Sequence, residues 1–146
     1  MKETLHYLLM ADHSMFQKAL TASIKDTGLT SGQPKVLDHL LVHDGTVQKD
    51  IAAACHIEPA SLTSILNGME SKNLIERKEQ NGNRRSSYVF LTKTGREFAK
   101  RLEKEFAKME EAALNGFEAA EREQLCSLLT RLYENMQSHI QREAEK

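Results

Sequence analysis

The sequence predicts a mainly α-helical fold carrying one small β-hairpin, and three observations support this. Two short helical patterns, residues 47–54 and 59–71, follow each other across His56-Ile57-Glu58. A polar turn at Asn81-Gly82-Asn83-Arg84-Arg85 then separates Leu74-Ile75-Glu76-Arg77 from the β-prone run Ser86-Ser87-Tyr88-Val89-Phe90-Leu91. Longer amphipathic stretches flank this block, and their apolar stripes have no obvious partner inside a domain of 146 residues.

Taken in order, the first helix repeats Leu5, Leu9, Phe16, Leu20 and Ile24 every one or two turns, with Leu8 and Ala19 widening the stripe. It should end near Gly28, which suits a left-handed cap. Thr30-Ser31-Gly32-Gln33 reads as a capping box, Pro34 fits an early turn, and Val36, Leu37, Leu40 and Leu41 form the apolar face of a second helix that Asp44-Gly45 closes. In the third, Ile51, Ala52 and Cys55 turn inward, and alanines at 52, 53 and 54 permit close helix contact. Pro59 opens the fourth, where its missing N–H costs nothing. Leu62, Ile65, Leu66 and Met69 then face the core, leaving Ala60, Ser61, Thr63, Ser64 and Asn67 on the other side. After a two-stranded ribbon with arginines at its tip, Thr92 caps a fifth helix that repeats Phe98, Leu102, Phe106 and Met109 until Gly116. The sixth carries Leu125, Leu128, Leu129, Leu132, Met136 and Ile140 close to a heptad seam.

Two helices packed together beside a basic hairpin make a winged helix-turn-helix, an arrangement that reads duplex DNA. A helix inserted into a groove needs short side chains where backbones approach and hydrogen-bonding groups where it meets base edges. The fourth helix has both. Pro59, Ala60, Ser61, Thr63, Ser64, Asn67, Lys72, Arg84 and Arg85 are therefore the candidate DNA contacts, with Asn67 long enough to bond adenine bidentately. The ordinary alternatives are capping and solvent exposure for the polar helix residues, and a solvated turn for the two arginines. Hairpin context favours phosphate or minor-groove contact for Arg84 and Arg85.

Bulk charge argues against a non-specific nucleic-acid binder, since 20 Lys plus Arg face 21 Asp plus Glu. The distribution is uneven: Lys72, Arg77, Lys78, Arg84, Arg85, Lys93 and Arg96 surround the hairpin, whereas Glu103, Glu105, Glu110, Glu111, Glu118, Glu121 and Glu123 follow it. One end attracts phosphates and the other repels them. A catalytic role is not expected, because there is no glycine-rich phosphate loop, nucleophile elbow or ordered Cys–His motif, and no cofactor is implied. His39 and His43 stand four apart, a spacing that permits metal binding on one face, but no further ligand completes a motif. Cys55 and Cys126 read as buried free thiols of a reducing cytosol. With neither a signal segment nor a membrane span, a soluble cytoplasmic protein is expected. A winged-helix protein-interaction module without specific DNA binding is the alternative, distinguished by whether Arg84 and Arg85 face the same side as Ser64 and Asn67.

Leu29-Thr30 with Gln33, Val36-Leu37, Leu40, Ile51-Ala52, Ser61, Thr63, Ile65, Glu70, Asn73-Leu74-Ile75-Glu76-Arg77, Asn83-Arg84-Arg85 and Leu91-Thr92-Lys93-Thr94-Gly95 occur in an order that resembles the MarR family of dimeric bacterial transcription regulators. The resemblance covers nearly the whole chain. It implies a single domain over 1–146, with a DNA-binding lobe at 30–92, a connecting helix at 93–115 and dimerisation helices at 1–28 and 117–146. The unmatched apolar stripes point the same way, with Leu5, Leu9, Leu125, Leu128, Leu132 and Met136 at a homodimer interface. Further implications are a pseudo-palindromic operator read by two fourth helices, repression, and a small aromatic or apolar effector held by His13, Phe16, Leu20, Val36, His39 and Leu40, with Phe106 beside them. Two positions depart from the family pattern: Asn83 stands where aspartate often braces the wing, and Asn73 where glycine is usual. Asparagine tolerates the left-handed backbone that the second position requires.

Overall fold

The computed structural model describes residues 3–80 and 82–146, the side chains of residue 80 and residues 83–86 excepted. Six helices and three strands follow in the order α1 (Leu5–Ser23), α2 (Gln33–Val42), β1 (Thr46–Val47), α3 (Gln48–Cys55), α4 (Pro59–Ser71), β2 (Ile75–Gln80), β3 (Asn83–Leu91), α5 (Lys93–Ala113) and α6 (Ala119–Ala144). The chain divides within α5 into two compact units, Met1–Met109 and Glu110–Lys146.

In the first unit the inward faces of α2, α3 and α4 converge. Val36, Leu37, Leu40, Ile51, Leu62 and Leu66 are completely buried, and Met69, Ile75, Val89 and Leu102 close the core around them. Burying a side chain of this size stabilises by about 1.5–3 kcal/mol relative to leaving it in water, which is what holds these short helices in place. Left-handed His56, at φ 54°, turns the chain between α3 and α4, and the Ile57 amide bonds back to the Ala52 carbonyl at 3.0 Å.

The hairpin is antiparallel, with Ile75 opposite Leu91 and Lys78 opposite Tyr88, and an irregularity between Lys78 and Gln80. Asn73 adopts the left-handed conformation its position calls for, at φ 59°. Thr92 then joins hairpin to helix: its hydroxyl donates to the Asn73 carbonyl at 2.7 Å and accepts the Gly95 amide at 2.9 Å, as a helix cap does. Gly95 is required there. A Cβ would lie 1.9 Å from the Leu74 carbonyl oxygen.

Four details correct the sequence reading. The sheet has three strands in the order β1-β3-β2, because Thr46 and Val47 pair with Val89 and Tyr88. The first helix stops at Ser23, and residues 24–28 form a turn that ends in Gly28 at φ 75°. Gly32, left-handed at φ 86°, is the N-cap of α2, and the Thr30 hydroxyl does not cap it; instead the Gln33 side-chain oxygen accepts the Thr30 amide at 3.1 Å. The Arg84 and Arg85 backbones belong to the start of β3 rather than to a loop tip.

In the second unit, α6 opens with a reciprocal capping box between Glu118 and Glu121, the Glu118 amide bonding Glu121 Oε1 at 2.9 Å. No residue of α6 is buried, and Leu125, Leu128, Leu129, Tyr133, Met136 and Ile140 all stand exposed. Cys126 shares that exposure, contrary to the buried thiol expected, because its helix has no core to turn toward; Cys55 is buried.

Candidate nucleic-acid interface

The outward face of α4 carries Ala60, Ser61, Thr63, Ser64 and Asn67, all exposed, opposite the buried stripe of Leu62, Leu66 and Met69. Pro59 opens the helix, also exposed, at the first position. Two of these side chains are already oriented by neighbours. The Thr63 hydroxyl donates to the Pro59 carbonyl at 3.1 Å and accepts from Gln48 Nε2 at 3.1 Å, which ties α3 to α4. Asn67 Oδ1 accepts from Arg77 Nη2 at 2.6 Å. Arg77 comes from β2, its side chain is only 4% exposed, and it also grips Glu70 through Nε at 3.1 Å and Nη2 at 3.2 Å. Ser61 and Ser64 have no side-chain bond of this kind among the described residues.

Lys72 sits just past α4, where Nζ donates to the Gly28 carbonyl at 2.7 Å and to Gln33 Oε1 at 2.9 Å. Its ammonium therefore ties the end of α4 to the entrance of α2. The Arg84 and Arg85 side chains lie outside the described residues, as do the side chain of Asn83 and all of Asn81. Sequence reasoning places Arg77 only in a basic cluster. The signal for its role is Glu70 near the end of the preceding helix, within reach of a strand that turns straight back.

A cavity of about 920 Å³ opens beside this face, lined by His13, Gln17, Leu20 and Thr21 of α1, Ser31 and Lys35 around the start of α2, Glu58, Ser61 and Ile65 around α4, and Phe106 of α5. Of the expected effector-site residues, His13, Leu20 and Phe106 line this cavity. Phe16, Val36, His39 and Leu40 do not line it. Val36 and Leu40 are spent on the core at 0% exposure, and His39 bonds Thr46 Oγ1 through Nε2 at 3.2 Å on the β1 side. The His39 and His43 rings stand 5.0 Å apart, and burial first, then the neighbouring His43 charge, hold the His39 pKa below its ordinary value. Burial likewise pushes the Cys55 thiol up, which makes it a poor nucleophile. Among the described residues no group of three or more His, Cys, Asp or Glu is placed to hold a metal, and no helix is long and apolar enough to cross a membrane.

The sequence profile of the MarR family matches residues 29–87, the segment that builds α2 through most of β3. The chain is 24% identical over 133 residues to YybA of Bacillus subtilis, an uncharacterised HTH-type transcriptional regulator, spanning 88% of this chain and 89% of that protein. Over residues 29–87 the chain is similar to the MarR family. Solved MarR-type structures superpose on nearly all of the chain. A DNA complex of Staphylococcus aureus MepR matches with a TM-score of 0.77 at 28% identity, over 91% of this chain and 96% of that one. A MarR-family regulator from Listeria monocytogenes, solved with 26mer DNA, reaches 0.82 at 22% identity, over 93% and 90% of the two chains. The segment that matches the family includes α4, the base of the wing and the Asn67–Arg77 contact; the exposed stripe of α6 lies beyond it.

Proposed function

We propose that this chain is a MarR-type transcriptional regulator, a homodimeric, sequence-specific binder of duplex DNA whose α4 helices enter successive major grooves of a pseudo-palindromic operator. The observation that carries the reading is the face of α4, which is small, polar and exposed over two turns and rests on a completely buried opposite stripe. The relation to MepR, whose DNA complex is known, supports it. The dimer is supported by two apolar faces without cover: Leu5, Leu8, Leu9 and Phe16 on α1, and Leu125, Leu128, Met136 and Ile140 on α6. Arg84 and Arg85, at the start of β3, supply phosphate or minor-groove contact.

The test is a binding titration over a range of salt concentrations. Replacing Arg84 and Arg85 by alanine should weaken binding on every sequence and lower the salt slope by about one unit for each phosphate that is no longer neutralised. An unchanged slope, or wild-type binding that does not discriminate among sequences, would remove this reading and leave a protein-interaction module.

Ligand-responsive repression is the finer part of the proposal. The cavity offers apolar walls in Leu20, Ile65 and Phe106 and a polar anchor in His13, and Ser61 of α4 lies on its rim, so an aromatic or apolar occupant touches the DNA-reading helix directly. Such a compound changes DNA affinity only to the extent that it prefers one conformation over the other. A compound that binds with a Phe106-dependent shift in melting temperature should also change operator affinity saturably. Binding without any change in operator affinity would reject control.

A further inference from the structure

We infer that Arg77 sets the base preference of the regulator by locking the carboxamide of Asn67 into a donor-only orientation. The inference rests on the proposal that α4 reads a major groove. A guanidinium has five N–H donors and no acceptor, so the Asn67 atom 2.6 Å from Arg77 Nη2 must be the oxygen. Rotation of the amide would set its NH2 group against that guanidinium. Arg77 itself cannot swing away easily, since its side chain is almost fully covered and its Nε and Nη2 hold the Glu70 carboxylate from the side. Asn67 and Glu70 stand three residues apart on one face of α4, both turned to β2, so the two acceptors are gripped by one fork.

The remaining arm of the carboxamide, Nδ2, makes no hydrogen bond among the described residues, and Asn67 is exposed. With Oδ1 turned to Arg77, this outward arm presents N–H donors. Bidentate reading of adenine needs an acceptor for N6–H and a donor to N7 turned together toward the base edge, whereas Oδ1 is held on the Arg77 side of the carboxamide. Guanine presents two acceptors, N7 and O6, on its major-groove edge, which suits a donor-only arm. Asn67 thus reads guanine, and Arg77 acts as a positioning residue.

The experiment is selection from a random duplex pool with the full chain, followed by affinity measurement on the selected sites. Wild-type protein should select guanine at one symmetric pair of positions, and Asn67→Ala should relax only that pair, with about a tenfold loss on the guanine site. Asn67→Asp keeps an oxygen for Arg77 and turns the outer arm into an acceptor, so its preference should move to cytosine, whose N4 amino group donates. In Arg77→Met the amide is free to rotate and adenine should become tolerated at the same pair; because this change also leaves Glu70 without its fork, the surface variant Asn67→Asp decides independently. Adenine at the Asn67-dependent positions in wild type, or no inversion with Asn67→Asp, overturns the donor-only assignment while leaving specific DNA binding intact. A wild-type pool that shows no enrichment removes the underlying proposal and this inference with it.

Discussion

The residues between α2 and β3 and those of α6 use apolar side chains in opposite ways. In the first region Leu37, Leu40, Ile51, Leu62, Leu66 and Met69 are completely hidden within one chain. In α6 the side chains of Leu128, Met136 and Ile140 remain 48–62% exposed although the helix runs for 26 residues. Lys72, Arg77, Thr63 and Thr92 are tied across elements by hydrogen bonds. On α6, Arg122 reaches back to Glu111 and the Leu114 carbonyl, but farther along the helix the bonds of Thr130 and Gln137 span only four residues of the same helix. The first region is stable through its own packing, so it can present a rigid reading face. The second needs a partner surface, and under the proposed function a second copy provides it.

The largest test of that contrast is Leu132→Asp. A carboxylate in an apolar seam between chains loses its hydration without gaining a partner, so the dimer should be lost and the mass measured by light scattering should halve. An unchanged dimer would show that α6 is not the covering surface. Leu66→Ala probes the other region: truncating a fully buried leucine should cost about 2–5 kcal/mol and lower the melting temperature equally at every protein concentration. Ile140→Ala should instead lower it in a concentration-dependent way, because under the proposed function its cover is intermolecular. Exchanged concentration dependences in calorimetry would reverse the comparison.

Smaller effects sharpen it further. Lys72→Met removes two hydrogen bonds and should cost about 1 kcal/mol in denaturant unfolding while leaving the salt slope of DNA binding unchanged. A slope lower by about one unit would make Lys72 the phosphate contact that the sequence suggests. The smallest effect expected is the pH response of His39. Its pKa is depressed by burial and by His43, so the unfolded chain binds the proton more readily. Stability from this site is fully present above the ordinary value of 6.5 and falls as pH drops below it. Thermal unfolding between pH 7.5 and 5.5 should show the decline, and His39→Gln should flatten it.

What the sequence revealed follows the range of the interactions involved. The span of α4 and the Thr92 cap were legible because each depends on neighbours within a few residues, a proline at a helix start and a hydroxyl three residues before an amide, while the left-handed Asn73 was implied by the family resemblance, which has glycine there. The hairpin was legible for the same local reason. Strand β1 was not, since two residues become a strand only by pairing with Val89 and Tyr88. Helical phase correctly turned Val36 and Leu40 inward, yet an inward residue can meet packed core or open cavity, and here both meet core. Arg77 was legible as part of a basic cluster and a family motif, and Lys72 as a basic candidate for DNA contact, but what either side chain holds was not. Their partners, Asn67 with Glu70 and Gly28 with Gln33, are assigned by how the elements dock. The donor-only state of Asn67 was invisible for that reason, and the adenine reading expected from its side-chain length gives way to guanine under the further inference.

The most direct measurement of the central claim is a footprint of the purified protein on duplexes recovered from a random pool. A rigid reading face duplicated by a dimer predicts two symmetric protected segments centred one helical turn apart, about 34–36 Å or 10–10.5 base pairs. A single asymmetric segment, or protection independent of sequence, would contradict it.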